Sequence, residues 1–195
     1  MLAIIGLASC SEEQFHVNGN ITEAKDSVLY FENMSLEGPV LIDSVKLSDD
    51  GSFEFSHKRS DAPEFYRLRI ARQIINISED STETIGIKAS YPTMATRYEV
   101  EGSENCKRIK ELSLMQIDLQ NAAIALDKNT SLSYAEAGDS LMKLIEAYKN
   151  GVKANYIFQD PKAASSYFAL FQTIGNFLIF NPRTTLSAPL RSYAA

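Results

Sequence analysis

Apolar residues recur with two different periods along this chain, and the change falls near Gly102. Up to that point they alternate with polar residues. Phe15, Val17 and Ile21 share one face, and Tyr66, Leu68 and Ile70 share another. Ile75 with Ile77, Ile85 with Ile87 and Ala89, and Tyr98 with Val100 repeat the pattern. Val28-Leu29-Tyr30-Phe31 and Leu41 to Leu47 add two short apolar runs. Period two marks half-buried strands, because successive side chains of a strand point to opposite faces. Asp50-Gly51, between Leu47 and Phe53, reads as the turn of a β-hairpin. Seven or eight short strands with no helical segment among them predict an antiparallel β-sandwich or barrel-like sheet over residues 14–102.

After Gly102 the period lengthens to that of a helix. Ser103 is placed to cap a helix carrying Ile109, Leu112, Met115, Leu119, Ala123 and Leu126 on one stripe. Ser133-Tyr-Ala-Glu136 is a capping box, in which serine and glutamate satisfy each other's backbone N–H groups. It opens a second helix with Leu141, Leu144, Ile145, Tyr148 and Val152 on its apolar side. Asp160-Pro161 predicts a third helix start, and the stripe Tyr167, Phe168, Phe171, Ile174, Phe177 and Leu178 predicts that it continues to Asn181-Pro182. The fold class is therefore α+β, with a three-helix segment over 103–181 and an irregular tail over 182–195.

Charge follows the same division. Residues 1–102 carry nine basic and 17 acidic side chains, and the remainder ten and eight, for a net charge of −6. No basic surplus exists to neutralise a phosphate backbone, so nucleic acid is not an expected partner. Two cysteines, Cys10 and Cys106, are too few for a zinc cluster or a disulfide framework of their own, and no cofactor or metal site is expected. His16 and His57 have no spacing that links them.

The first residues form an address. Leu2 to Ala8 is an apolar run too short to span a bilayer, which needs about 20 residues. It has the texture of a signal-peptide core and ends in Leu7-Ala8-Ser9-Cys10. This resembles a bacterial lipobox. The resemblance implies that Cys10 is acylated, that residues up to it form a signal peptide, and that the protein is anchored in the cell envelope. No lysine or arginine precedes the run, so the n-region is incomplete.

The strand-and-turn order carries a second resemblance. Phe15 to Ile21, Val28 to Phe31, Leu41 to Leu47, Asp50-Gly-Ser-Phe-Glu-Phe55, Pro63 to Leu68 and Val100-Glu-Gly-Ser103 resemble the domain of unknown function 4369 of Gram-negative lipoproteins. The resemblance implies an outer-membrane or periplasmic location, and a β domain followed by a helical linker and a thioredoxin-like domain. The redox motif of that last domain, Trp-Cys-x-x-Cys, does not occur in this sequence, which has no tryptophan. The expectation is a non-catalytic, lipid-anchored binding or scaffolding protein. The alternative is part of a thiol-disulfide oxidoreductase that works with a thioredoxin-like domain supplied separately.

Two candidates for interaction chemistry remain. Cys106 is the thiol left after lipidation of Cys10, and it falls in the first turn of a helix, where the dipole favours a thiolate. A small half-buried side chain is the commoner use of such a position. Tyr167, Phe168, Phe171, Ile174 and Phe177 form a candidate interaction face, for a thioredoxin-like domain or for self-association. Arg67 and Arg69 share a strand face that reads as solvated.

Overall fold

The structure is a computed structural model that describes residues 13–35, 37–60, 62–79, 84–181 and 185. Cys10, the expected signal-peptide segment 1–10 and, Thr185 apart, the tail from 182 onward lie outside the described residues. Eight strands form two four-stranded sheets. The first sheet holds β4 (Ser52–Lys58), β1 (Gln14–Thr22), β7 (Thr84–Ser90) and β8 (Tyr98–Glu101) in that order. The second holds β3 (Gly38–Lys46), β2 (Val28–Ser35), β5 (Glu64–Ile70) and β6 (Gln73–Glu79). Three helices follow: α1 (Glu104–Asp127), α2 (Tyr134–Val152) and α3 (Ala164–Leu170). The α+β class and its order of elements are those read from the periodicity.

The alternating residues meet between the sheets. Phe15, Val17, Phe31, Phe55, Tyr66, Leu68, Ile75, Ile77, Ile85 and Ile87 are all buried in one cluster. Its centre is aromatic: Phe31 lies 6.2 Å from Phe15, 5.2 Å from Phe55 and 5.3 Å from Tyr66 between ring centroids. His57 packs edge-on against Phe15 and Tyr66, so it is a sheet residue.

Two strand pairings differ from the expectation. β1 pairs β7 in parallel, His16 against Thr84 through Thr22 against Ser90, so the first sheet is mixed rather than antiparallel. And the Asp50-Gly51 turn does not close a hairpin, because β3 lies in one sheet and β4 in the other. The turn chemistry itself is present. Gly51 N–H donates to Ser48 O at 3.1 Å, and the Asp50 carboxylate accepts from Ser48 Oγ at 2.6 Å and from Ser52 N–H at 3.2 Å. Local sequence dictates a bend; which strand the exiting segment joins depends on long-range pairing with β1.

α1 covers the outer face of the second sheet along β6. Ser103 caps it by accepting from Cys106 N–H at 3.1 Å. Asn76 donates to Ser113 Oγ at 3.3 Å. A second core joins Leu112 and Leu119 of α1 to Tyr148 and Val152 of α2, Ala169 and Leu170 of α3, and Phe180. The Ser133–Glu136 capping box is formed as expected. A π-helical segment, Lys153–Ile157, links α2 to the turn before α3.

The third helix is shorter than the stripe implied. It starts after Ala163, with no side-chain cap from Asp160, and stops at Leu170. Thr173–Ile174 (β9) and Phe177–Leu178 (β10) then pair as a small antiparallel hairpin. Gly175, at φ 56°, is the first residue of its two-residue turn, a conformation that glycine adopts without steric cost. A glycine followed by asparagine inside an apolar stripe thus reads as a turn, and the helical spacing of Phe171, Ile174 and Phe177 is coincidental.

Candidate functional site

Where α1 and α3 cross the outer face of the second sheet they leave an apolar groove of about 550 Å³. Met34, Phe65 and Asn76 come from the strands, Gln116 from α1, and Phe168, Phe171 and Gln172 from α3 and its end. Alternation explains the sheet side. Met34 and Phe65 fall on the face of β2 and β5 opposite the core residues Phe31, Tyr66 and Leu68, and so must find other cover. Phe168 supplies part of it, with its ring 6.0 Å from that of Phe65. Phe171 remains 56% exposed at the rim.

The glutamine side chains of the groove are engaged with the helical layer behind it. Gln116 Nε2 donates to Thr173 O at 2.8 Å, and Gln172 Nε2 donates to Leu112 O at 2.9 Å. Tyr148 Oη donates to Gln172 Oε1. These bonds tie the hairpin and α3 to α1, so the groove wall is held from behind.

The same sheet face continues into a charged cluster. Glu32 is buried on β2, level with Arg67 of β5. Arg69 donates to it through Nη2 at 2.7 Å and through Nε at 3.1 Å, and Arg67 donates through Nε. Arg69 also lies over the Tyr30 ring, 4.5 Å from its centroid. The hydrogen bond from Arg69, reinforced by those from Arg67, holds the Glu32 carboxyl below the usual carboxylate range. Arg67 and Arg69 are therefore not a solvated outer face, as their alternation suggests; a glutamate on the neighbouring strand gathers them.

A pH dependence follows from the sign of that shift. Because the folded-state value is lowered, the stabilisation from Glu32 is present above its unfolded value of about 4.3 and is lost as pH falls through the folded value. Denaturation midpoints of the wild type should fall between pH 5 and pH 3 more steeply than those of Glu32→Gln. Parallel curves would show that the carboxylate contributes no such linkage.

Cys106 is fully buried. Its Sγ donates to Ser78 O at 3.2 Å and accepts from Ser78 N–H at 3.4 Å, so it fastens the first turn of α1 to β6. The helix-start position read from sequence is present, but solvent access is not, and reactivity requires access. In a Cys10→Ala chain, Cys106 should react with an aqueous disulfide reagent only at the rate of unfolding. Stoichiometric labelling within the native dead time would overturn this.

The candidate interaction face divides. Tyr167 and Phe171 lie one helical turn apart and are exposed, and Phe168 turns into the groove. Ile174 and Phe177 pair across the hairpin, where Ile174 packs on the helical core and Phe177 is 77% exposed. Met34, Phe65, Asn76, Gln116 and Gln172 were not legible as site residues, since nothing local in sequence brings β2, β5, α1 and α3 together. Among the described residues no cluster of three or more His, Cys, Asp or Glu could hold a metal, and no helix is long and apolar enough to cross a membrane.

Residues 15–108 match the model of the family described as Domain of unknown function (DUF4369). This is the family whose strand order the sequence resembles. The DUF4369 match takes in both sheets and the first turn of α1, Cys106 included, and leaves most of the helical layer outside it. No curated protein matches the chain. A solved structure of (S)-allantoin synthase is similar to part of it, at 9% identity over 48% of this chain and 45% of that one, with a TM-score of 0.34. A likeness that slight carries no argument.

Proposed function

We propose that this chain is a non-catalytic binding protein of the bacterial cell envelope, anchored through acyl chains on Cys10, that receives its partner at the groove and its aromatic rim. The observation that carries the reading is the groove itself: apolar walls with Phe171 standing exposed at its edge, and Tyr167 exposed one helical turn before it. Exposed apolar surface of this kind is costly to maintain in a protein with nothing to bind. The lipobox resemblance supports the location. Two or three acyl chains would hold such a protein firmly on a membrane, whereas one gives only marginal binding.

The test has two arms. With a complete signal sequence, Cys10→Ala should move the protein from the membrane to the soluble fraction, and unchanged partition would remove the anchor. A photo-reactive residue at Tyr167 should crosslink to a partner in envelope extracts, and Phe171→Glu should abolish that crosslink. Crosslinking that ignores Phe171→Glu would place the binding surface elsewhere.

A second reading has one observation in its favour. Phe177 and Leu178 of the small hairpin are both exposed, which suits docking of a further folded domain. In that reading the chain serves a thioredoxin-like domain supplied in trans. The chain alone should not reduce insulin disulfides, since one buried thiol cannot resolve a mixed disulfide. A change in the rate of an added thioredoxin-like domain, lost in Phe177→Glu, would favour this reading over the first.

A further inference from the structure

The sheet face that lines the groove continues into a cationic cluster. Arg67 follows Phe65 by two residues on β5, so it emerges on the same face about 7 Å further along. It is flanked in register by Asn76 of the groove on one side and by Glu32 on the other. One carboxylate serves two guanidinium groups here. Arg69 engages Glu32 through Nε and Nη2, and Arg67 through Nε alone. Among the described residues, Arg67 Nη1 and Nη2 and Arg69 Nη1 make no hydrogen bond. The cluster thus carries a net charge of +1 on a largely buried platform, within a sheet domain whose overall balance is strongly acidic.

We infer that the groove binds a single-chain anionic amphiphile, its apolar part lying among Met34, Phe65, Phe168 and Phe171 and its one anionic group meeting Arg67 and Arg69. The inference rests on the reading of the groove as the binding surface and adds the class of ligand. Three observations set that class. The walls are apolar, and Gln116 and Gln172 have their amides committed to the protein, so they do not solicit a polar ligand body. The volume of about 550 Å³ lies within the range of small-molecule sites rather than that of a protein interface. The charge complement is one anion: a guanidinium pair that shares one carboxylate has donors left in the planar fork that suits a carboxylate, and the acidic balance of residues 1–102 as a whole disfavours a polyanion. Glu32 holds both arginines in place before the ligand arrives, which lowers the ordering cost of binding.

The experiment uses the full chain and a fluorescent dansylated undecanoic acid, displaced by dodecanoate or by dodecan-1-ol. The probe should bind with a blue-shifted emission. Dodecanoate should displace it at least about tenfold more effectively than the alcohol, the share expected of a charge-assisted hydrogen bond. Arg67→Gln should weaken dodecanoate about tenfold and leave the alcohol unchanged, with Arg67→Lys recovering part of the loss. Met34→Glu, at an exposed groove position, should weaken both ligands. If Arg67→Gln does not fold, the acid-to-alcohol ratio in the wild type and Met34→Glu decide the matter. Equal displacement by acid and alcohol overturns the anionic end. No probe binding overturns the ligand class; if crosslinking at Tyr167 persists in that case, the groove stands as a protein-docking surface, and if it fails as well, both readings fall.

Discussion

Phe31→Ala should destabilise the protein by about 3–5 kcal/mol, enough to remove a large part of the stability of an ordinary domain. Phe31 is fully buried at the centre of β2, with Phe15, Phe55 and Tyr66 around it. Phe15 and Phe55 belong to the first sheet and Tyr66 to the second. Truncation therefore opens a cavity between the sheets that neither can close without giving up its own pairings. It also removes two stacked ring contacts and two edge-on contacts, the latter with Phe15 and His57, which add to the area lost from water. The measurement is a urea titration. The midpoint should fall with little change in slope, as for a stability loss without a change in the surface exposed. A loss under about 1 kcal/mol would mean that the sheets collapse onto the space and that the aromatic cluster is not the keystone of the sandwich.

Gly102→Ala is the second large effect, and it acts on a joint rather than a core. Gly102 lies between the end of β8 and the helix cap Ser103, at φ 86°. A Cβ built there would stand 2.0 Å from Thr84 O, an atom of the backbone that cannot rotate away. The left-handed backbone alone costs about 1–3 kcal/mol for a residue with a side chain, and the clash adds to it. Relief requires β7 or the start of α1 to move, and α1 is fastened to β6 through Cys106 and Ser113. We expect a loss of at least about 3 kcal/mol together with increased reactivity of Cys106. A variant as stable as the wild type, with Cys106 still protected, would show that the joint tolerates displacement.

The parts of the fold that were legible are those governed by local rules. Alternation named the inner residues Phe15, Val17, Tyr66, Leu68, Ile75 and Ile77, because one face of each strand has a single place to go. Ser103 and the Ser133–Glu136 box announced two helix starts through side chains that reach only three residues. Illegible were the relations between distant segments. Nothing near Asp50-Gly51 says that the strand after it crosses to the other sheet, and nothing near β1 says that β7 will lie beside it in parallel. The aromatic stripe misled for a related reason: at Gly175 a turn residue outweighs a helical spacing, and only packing against α1 reveals it. The candidate groove lies wholly in the illegible part, being assembled from four elements that meet only in the folded chain. Arg67 and Arg69 were visible as a pair on one face, but their partner Glu32 sits 35 residues from Arg67 in sequence.

The place of β1 in its sheet has a consequence for the order in which the protein can assemble. Its two neighbours are residues 52–58 and 84–90, so the first strand made has no partner next to it in the chain. The second sheet, by contrast, runs through the consecutive pairs β2–β3 and β5–β6. Closing long loops is slow, and contacts of high sequence separation form late. The hairpins β2–β3 and β5–β6 should thus zip first during refolding, with β1 completed last, since its pairing with β7, His16 against Thr84, spans the longest stretch of chain. During synthesis β1 would lack one of its two neighbours until β7 had followed. Hydrogen exchange pulsed during refolding should label β1 amides longest, and early protection of Val17 would contradict that order.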